Sequence, residues 1–274
     1  MLAQGVIFNL LRFIPLAFMA TIAGDFGIVA SWGIGLLVAM IVAAGIFMPR
    51  IQAGYRPFPT VRRTVVNDMV RFSFANYIAA FLWAAPILIL PIMVVNLLGG
   101  SANADFYISW AVSSMLFMIP TAISLSMFAE GSYDEKTLDS DVQRSVKLIL
   151  LLLVPAVLLL FLFGGKILFF IWDDYSDNAT RLLWIFALSA FPLSINQIYF
   201  GMRRVKKEMR SVVLLTAFIA VVTLTLSYIL LPGIGIIGAG VAWLACQMVV
   251  ASFTVWGILR AWRKPGAVGI HDVD

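Results

Sequence analysis

Arg12 is the one strong charge set inside a long apolar run. A guanidinium at mid-membrane depth defaults to a functional role, such as holding a phosphate or pyrophosphate. If the helix begins near Asn9 instead, Arg12 sits at the headgroups and snorkels. Arg71, at the start of a later apolar run, poses the same choice, with the interfacial reading stronger. Asp173, Asp174 and Asp177 crowd one short segment. Hard cations favour such oxygen ligands, but three carboxylates on a loop are ordinarily solvated. Gly233-Ile-Gly235-Ile-Ile-Gly238 matches G-x-G-x-x-G literally. A dinucleotide site needs a preceding strand and an acid about 20 residues later. Here the preceding segment is apolar and ends in Leu231-Pro232, and no acid follows until Asp272, so a tight turn is the plainer reading. Phe163-Gly164-Gly165-Lys166 lacks the spacing and the hydroxyl residue of a phosphate loop. The single histidine, His271, lies in a polar tail, and the single cysteine, Cys246, lies in an apolar run. Enzyme chemistry needs a convergent cluster of such groups. The pattern points away from an enzyme and implies no cofactor and no metal. Asn178-Ala179-Thr180 reads as a chance glycosylation sequon.

A different set of polar residues is more telling. Between Arg71 and Glu130 two long apolar runs flank the turn sequence GGSANAD, with Asp105 the only charge between them. Asn76, Tyr77, Trp83, Tyr107, Trp110 and Ser124 are scattered through these runs, and Asn196 and Tyr199 lie in a later one. Pro86, Pro91, Pro120, Pro155 and Pro192 all fall within apolar runs. Each proline removes a helix hydrogen bond and kinks the helix. Kinked helices splay and line cavities, although proline is also simply commoner in membrane helices. Together with the polar residues, the prolines favour a cavity.

The elements that would carry these residues follow from composition. Of 274 residues, 62% are hydrophobic and 12% charged, and the mean hydropathy is +1.00. Soluble domains carry about 25% charged residues. Repeated apolar runs of about 20 residues mark an all-α, polytopic membrane bundle. They are too uniformly apolar for barrel strands. The pI near 9.5 does not signal nucleic-acid binding, because the basic residues cluster at the ends of apolar runs.

About eight spans are expected: Leu2 to Ala23, Phe26 to Met48, Ser73 to Leu98, Asp105 to Phe128, Val146 to Phe163, Ala179 to Gly201, Ser211 to Leu231, and Ile234 to Leu259. With that arrangement, sixteen of the nineteen Lys and Arg residues fall on one side. Lys166 and Arg181 fall on the other, and Arg12 lies within the first run. The positive-inside rule then places both termini in the cytoplasm of a cell membrane. The basic, proline-broken segment Pro49 to Val70 is the expected linker between lobes, with a short amphipathic helix over Val61 to Arg71. Ser140 or Asp141 would cap an extension of the fifth helix. Residues 1–48 would be the last two helices of a truncated N-terminal lobe, 49–70 the linker, 71–264 a complete six-helix lobe, and 265–274 a cytoplasmic tail. The chain thus reads as the C-terminal part of something larger.

Particular segments carry a resemblance. They are Phe72-Ser73-Phe74-Ala75-Asn76-Tyr77, the run from Pro86 to Ile92, Leu97-Leu98-Gly99, and Ala104-Asp105-Phe106-Tyr107-Ile108. Further on come Ile119 to Glu130, Phe191 to Tyr199, and Leu231 to Gly240. In order and spacing they resemble Wzx-type polysaccharide flippases of the multidrug/oligosaccharidyl-lipid/polysaccharide exporter superfamily. The resemblance implies two six-helix lobes across a central cavity. It also implies a polyprenyl-pyrophosphate-linked oligosaccharide, turned from the cytoplasmic to the outer leaflet by alternating access, for polysaccharide biosynthesis. Membrane lipid and a missing N-terminal portion or partner subunit would be the other partners. The third, fourth and sixth helices would line the cavity. A drug or small-molecule exporter of the same superfamily is the alternative, expected to couple ions through intramembrane carboxylates. A non-transporting scaffold of cell-envelope assembly is a third reading.

Overall fold

The computed structural model describes residues 63–171 and 177–262, with short helical stretches between 33 and 51. The expected first span, Arg12, most of the second span, Asp173, Asp174 and the 265–274 tail lie outside the described residues. The chain divides into a unit of residues 1–66 and a unit of residues 67–274. In the first, the helical turn Met48–Ile51 is described. The second is built of long helices.

Six of these helices are long and apolar enough to cross a membrane. We name them α1 (Arg63–Leu98), α2 (Gly100–Tyr133), α3 (Leu138–Ile171), α4 (Asp177–Val205), α5 (Met209–Ile234) and α6 (Ile237–Trp262). No strand occurs among the described residues.

The helices outrun the expected spans at almost every end. The reason is physical: an apolar run marks where lipid solvation begins, not where helical hydrogen bonding stops. The sequence GGSANAD is therefore not a turn. Gly99 alone, at φ 91°, reverses the chain, and α2 starts at Gly100. Residues 63–71 form the first turns of α1 rather than a separate surface helix. The α2–α3 connection is a single 3₁₀ turn, Glu135–Thr137. Neither Ser140 nor Asp141 is the cap expected there, because both already lie inside α3. Ser140 Oγ donates back to the Thr137 carbonyl, and Asp141 Oδ2 accepts from Thr137 Oγ1 at 2.8 Å. Gly164, Gly165 and Lys166 are interior to α3, with Lys166 Nζ over the Phe163 ring. The G-x-G-x-x-G segment is a turn centred on Gly235 at φ 65°, between α5 and α6. A β-carbon at Gly238 would lie 2.8 Å from the Leu230 backbone, which keeps that turn tight.

α4 is the centre of the bundle, packing against α2, α3, α5 and α6. In its most apolar stretch 67% of residues are buried, yet its mean hydropathy there is only 1.4. For α3 the corresponding values are 22% and 3.0. This inverts the soluble-protein rule. Lipid accepts Leu and Val on the outside, and the interior holds small and polar residues that pack and hydrogen-bond between helices. Ser189, Ser194, Asn196 and Gln197 are all buried on α4. Helix α2 comes close enough that a β-carbon on Gly201 would sit 2.5 Å from Met127 Cε and 2.7 Å from Ser124 Oγ.

Candidate functional site

Helix α2 turns a stripe of Tyr107, Trp110, Ser114, Phe117 and Thr121 to one side, at the three- and four-residue spacing of a helix face. Trp83 and Ile87 of α1 stand opposite, one turn apart, and Trp243 of α6 closes the back. These side chains line an open cavity of about 410 Å³, with Ala111 and Met118 completing its wall. That volume is within the range of small-molecule pockets, about 300–1,000 Å³.

The aromatic rings hold one another in place. Trp243 meets Trp110 edge-to-face at 5.3 Å and Trp83 at 5.9 Å, and Phe117 lies 6.2 Å away. Trp110 in turn stands edge-on to Phe186 of α4 at 5.1 Å. The wall is therefore anchored to the central helix, and such pairs add to area burial by about 0.5–1.5 kcal/mol each.

Two hydroxyls of the wall are left as acceptors, while Tyr107 and the indoles of Trp83, Trp110 and Trp243 carry donors. Ser114 Oγ donates to the Ala111 carbonyl at 2.7 Å, and Thr121 Oγ1 donates to the Phe117 carbonyl at 2.7 Å. With its proton committed to the helix, each hydroxyl keeps lone pairs for a ligand. Trp243, only 1% exposed, has no acceptor for its indole N–H among the described residues. Among the described residues, no Lys, Arg, Asp, Glu or His lines the cavity.

Of the residues singled out from sequence, Trp83, Tyr107 and Trp110 meet at this cavity. The others are elsewhere. Ser124 Oγ donates to the Gln197 carbonyl at 2.5 Å and ties α2 to α4. Asn196 Nδ2 donates to the Gln247 side-chain oxygen at 2.7 Å and to its backbone carbonyl at 3.1 Å, tying α4 to α6. Tyr199 is buried, with the Arg203 guanidinium 4.9 Å above its ring. Tyr77 and Arg71 are exposed and Asn76 is half-buried, all on α1 away from the cavity lining. Helix α6 thus takes the place expected of α4 in the wall, while α4 supports the wall from behind. All five prolines lie inside unbroken helices, Pro86 and Pro91 in α1, Pro120 in α2, Pro155 in α3 and Pro192 in α4. Pro86 and Pro120 are buried beside the cavity residues Ile87 and Thr121.

Trp243 is the residue that sequence reasoning missed. The signal was present: α6 opens with the small residues Gly238, Ala239 and Ala242, and an indole immediately follows them. Ala239 and Ala242 are fully buried, so the helix approaches its neighbours closely and the ring is forced into the interior.

A second hollow, of about 270 Å³, lies between α2 and α3 near their connection. Glu130, Asp141, Arg144 and Ser145 line it, and Ser126 Oγ donates to Glu130 Oε1. No group of three or more His, Cys, Asp or Glu residues suited to a metal ion occurs among the described residues.

No curated protein matches the chain significantly. Solved structures do match, at identities that speak for the fold alone. MATE in complex with MaL6 has 17% identity and a TM-score of 0.75, and the match covers 95% of this chain and 62% of that one. The outward-facing conformation of a multidrug resistance MATE family transporter of the MOP superfamily has 17% identity and a TM-score of 0.74, covering 96% and 63%. A MOP superfamily transporter from Pyrococcus furiosus with a binding pocket of reverse polarity has 17% identity and a TM-score of 0.73, covering 94% and 61%. The chain therefore spans a little over three-fifths of the length of these proteins. The MatE family profile matches residues 77–229, from the α1 segment preceding Trp83 through most of α5. Because that match takes in more than half of the sequence and five of the six long helices, the chain belongs to the MatE family.

Proposed function

We propose that the chain forms a substrate-binding lobe of a membrane transporter working by alternating access. Its substrate is an uncharged ring system carried on a lipid, and a polyprenyl-pyrophosphate-linked oligosaccharide moved from the cytoplasmic to the outer leaflet of the cell membrane is the best fit. Family membership makes the chain a transporter component rather than an enzyme. The observation that carries the substrate reading is the cavity wall: aromatic faces and hydroxyl acceptors, with no Lys, Arg, Asp, Glu or His among the described residues. A sugar ring presents an apolar C–H face to an aromatic ring and hydroxyls to Ser114 and Thr121. Arg71, exposed on the first part of α1, would attract the pyrophosphate if that end faces the cytoplasm. A second lobe, on further chain or a partner subunit, would supply the opposite wall.

Export of a drug-like molecule is the second reading. It is supported by the description of a structural neighbour as a multidrug resistance transporter. Proteoliposomes decide between them. A fluorescent lipid-linked disaccharide should equilibrate between leaflets faster with the protein than without it. If equilibration is unchanged while ethidium efflux depends on the protein, the drug reading replaces the first.

A further inference from the structure

We propose that the hollow between α2 and α3 binds a membrane phospholipid with a primary-amine headgroup, its ammonium held by Glu130 and Asp141 and its phosphate by Arg144. This site is separate from the α1–α2–α6 cavity and does not depend on what the transporter moves.

Two facing stripes build the hollow. Helix α2 contributes Ala122, Ser126 and Glu130, one turn apart, and α3 contributes Asp141, Arg144, Ser145 and Leu148 at three- and four-residue steps. A single 3₁₀ turn joins the two helices, so they run in opposite directions. Glu130 and Asp141 share the end near that turn, and Ala122, Ile123 and Leu148 lie about 10 Å further along the helices. Charge spacing sets the depth of both ends. Residues 106–129 of α2 carry no charged side chain, about 36 Å of helix, and residues 148–165 of α3 carry none, about 27 Å. A bilayer's hydrocarbon core is about 30 Å thick. Glu130, Asp141 and Arg144 therefore stand at headgroup level, and the apolar end of the hollow lies at the depth of acyl chains. Ala122 and Leu148 are exposed, which leaves that end open.

Five polar side chains line the hollow, and their bonding is incomplete. Ser126 Oγ donates to Glu130 Oε1 at 3.2 Å, and Asp141 Oδ2 accepts from Thr137 Oγ1 at 2.8 Å. Each carboxylate keeps its other oxygen for a ligand. Among the described residues Arg144 is ion-paired with neither carboxylate, although all three line the same space. Ser145 is 7% exposed, and its hydroxyl has no hydrogen-bond partner among the described residues. Native structures leave few buried polar groups in that condition. Opposite charges that share a hollow without pairing suit a ligand carrying both signs. An ethanolamine phosphate offers an ammonium with three N–H donors to the carboxylates and phosphate oxygens to the guanidinium. The Ser145 hydroxyl then donates to a phosphate or ester oxygen. A quaternary choline has no N–H for the carboxylates, and a glycerol headgroup has no cation for them. A free zwitterion would fill the polar end alone, whereas a lipid also covers Ala122, Ile123 and Leu148.

The test titrates the full chain in detergent with phospholipids and reads retention by native mass spectrometry. Phosphatidylethanolamine should be held roughly three- to tenfold more tightly than phosphatidylcholine or phosphatidylglycerol, as two partly solvated ion pairs allow. Equal retention by the wild-type protein overturns the proposal without recourse to any variant. The double variant Glu130→Gln with Asp141→Asn should bring phosphatidylethanolamine down to the phosphatidylcholine level. Arg144→Gln should weaken both of these lipids by a similar factor, since both carry the phosphate. Asp139→Asn removes a charge from the same first turn of α3 without lining the hollow, and should change nothing. If the double variant keeps the preference, or Asp139→Asn loses it, the headgroup is bound elsewhere or by net charge alone and the proposal fails. Glycerophosphoethanolamine, the same headgroup without acyl chains, should not displace the lipid. Displacement at equal concentration would assign the hollow to a soluble zwitterion and overturn the lipid reading.

Discussion

The Asn196 side-chain amide donates to the Gln247 side-chain oxygen across 2.7 Å, joining α4 to α6 where both residues are buried. The pair is incomplete, since Asn196 Oδ1 and Gln247 Nε2 have no partners of their own among the described residues. Removing one member strands the other. Asn196→Leu or Gln247→Leu alone should therefore destabilise by about 1–3 kcal/mol. The double variant Asn196→Leu with Gln247→Leu should recover part of that loss. Thermal unfolding of the detergent-solubilised protein reads the cycle. Additive losses in the double variant would show that the two amides do not act as a pair.

Gly201 marks a close approach of α2 to α4. A methyl there meets Met127 Cε at 2.5 Å and Ser124 Oγ at 2.7 Å, and behind them the Ser124 carbonyl at 3.3 Å. Met127 can shift, whereas Ser124 is held by its bond to Gln197. Gly201→Ala should cost about 1–3 kcal/mol, in the range of overpacked cores. Gly233→Ala is the control, because nothing lies within 4 Å of its position. The two variants should separate clearly in the same melting experiment.

Lys207, in the turn between α4 and α5, has φ 56°, a left-handed conformation in which side chains cost about 1–2 kcal/mol. Glycine adopts that conformation freely. The turn is otherwise well tied, with Glu208 N–H donating to the Arg203 carbonyl at 2.8 Å and the two side chains ion-paired. Lys207→Gly should raise the melting temperature or leave it unchanged, and a clear fall would contradict the left-handed turn.

Cys246 is the only cysteine in the chain and is 1% exposed, packed between α5 and α6 with its thiol 3.8 Å from the Ile219 carbonyl. A maleimide should label it slowly in the folded protein and promptly after denaturation. Rapid labelling of folded protein would mean that α5 and α6 separate on the time scale of the reaction.

Hydropathy alone located the six described spans, because twenty apolar residues in a row have few other destinations. It failed at the ends. Gly99 needs no polar companions to reverse the chain, so the residues from Gly100 to Asp105 were free to join α2. The cavity was half legible. Trp83, Tyr107 and Trp110 stood out as polar-tipped rings within lipid-length runs. Asn196 and Ser124 stood out for the same reason, yet they serve helix–helix contacts. Residue type cannot separate these roles, since a polar group in a bundle interior needs a partner whether that partner is a helix or a guest. Trp243 carried a sequence signal in the small residues before it, but that α6 rather than α4 faces α1 and α2 across the cavity is decided by three-dimensional packing.

The low hydropathy of α4 also bears on how the protein is made. A segment with a mean hydropathy of 1.4 partitions from the translocon into lipid less readily than α3 at 3.0 or α5 at 2.4. Its Gln197 carbonyl and Asn196 side chain find their partners on α2 and α6, and α6 is the last of the six to be synthesised. The helix at the centre of the finished lobe is thus the one least able to enter the bilayer unaided, and its insertion depends on neighbours emerging both before and after it.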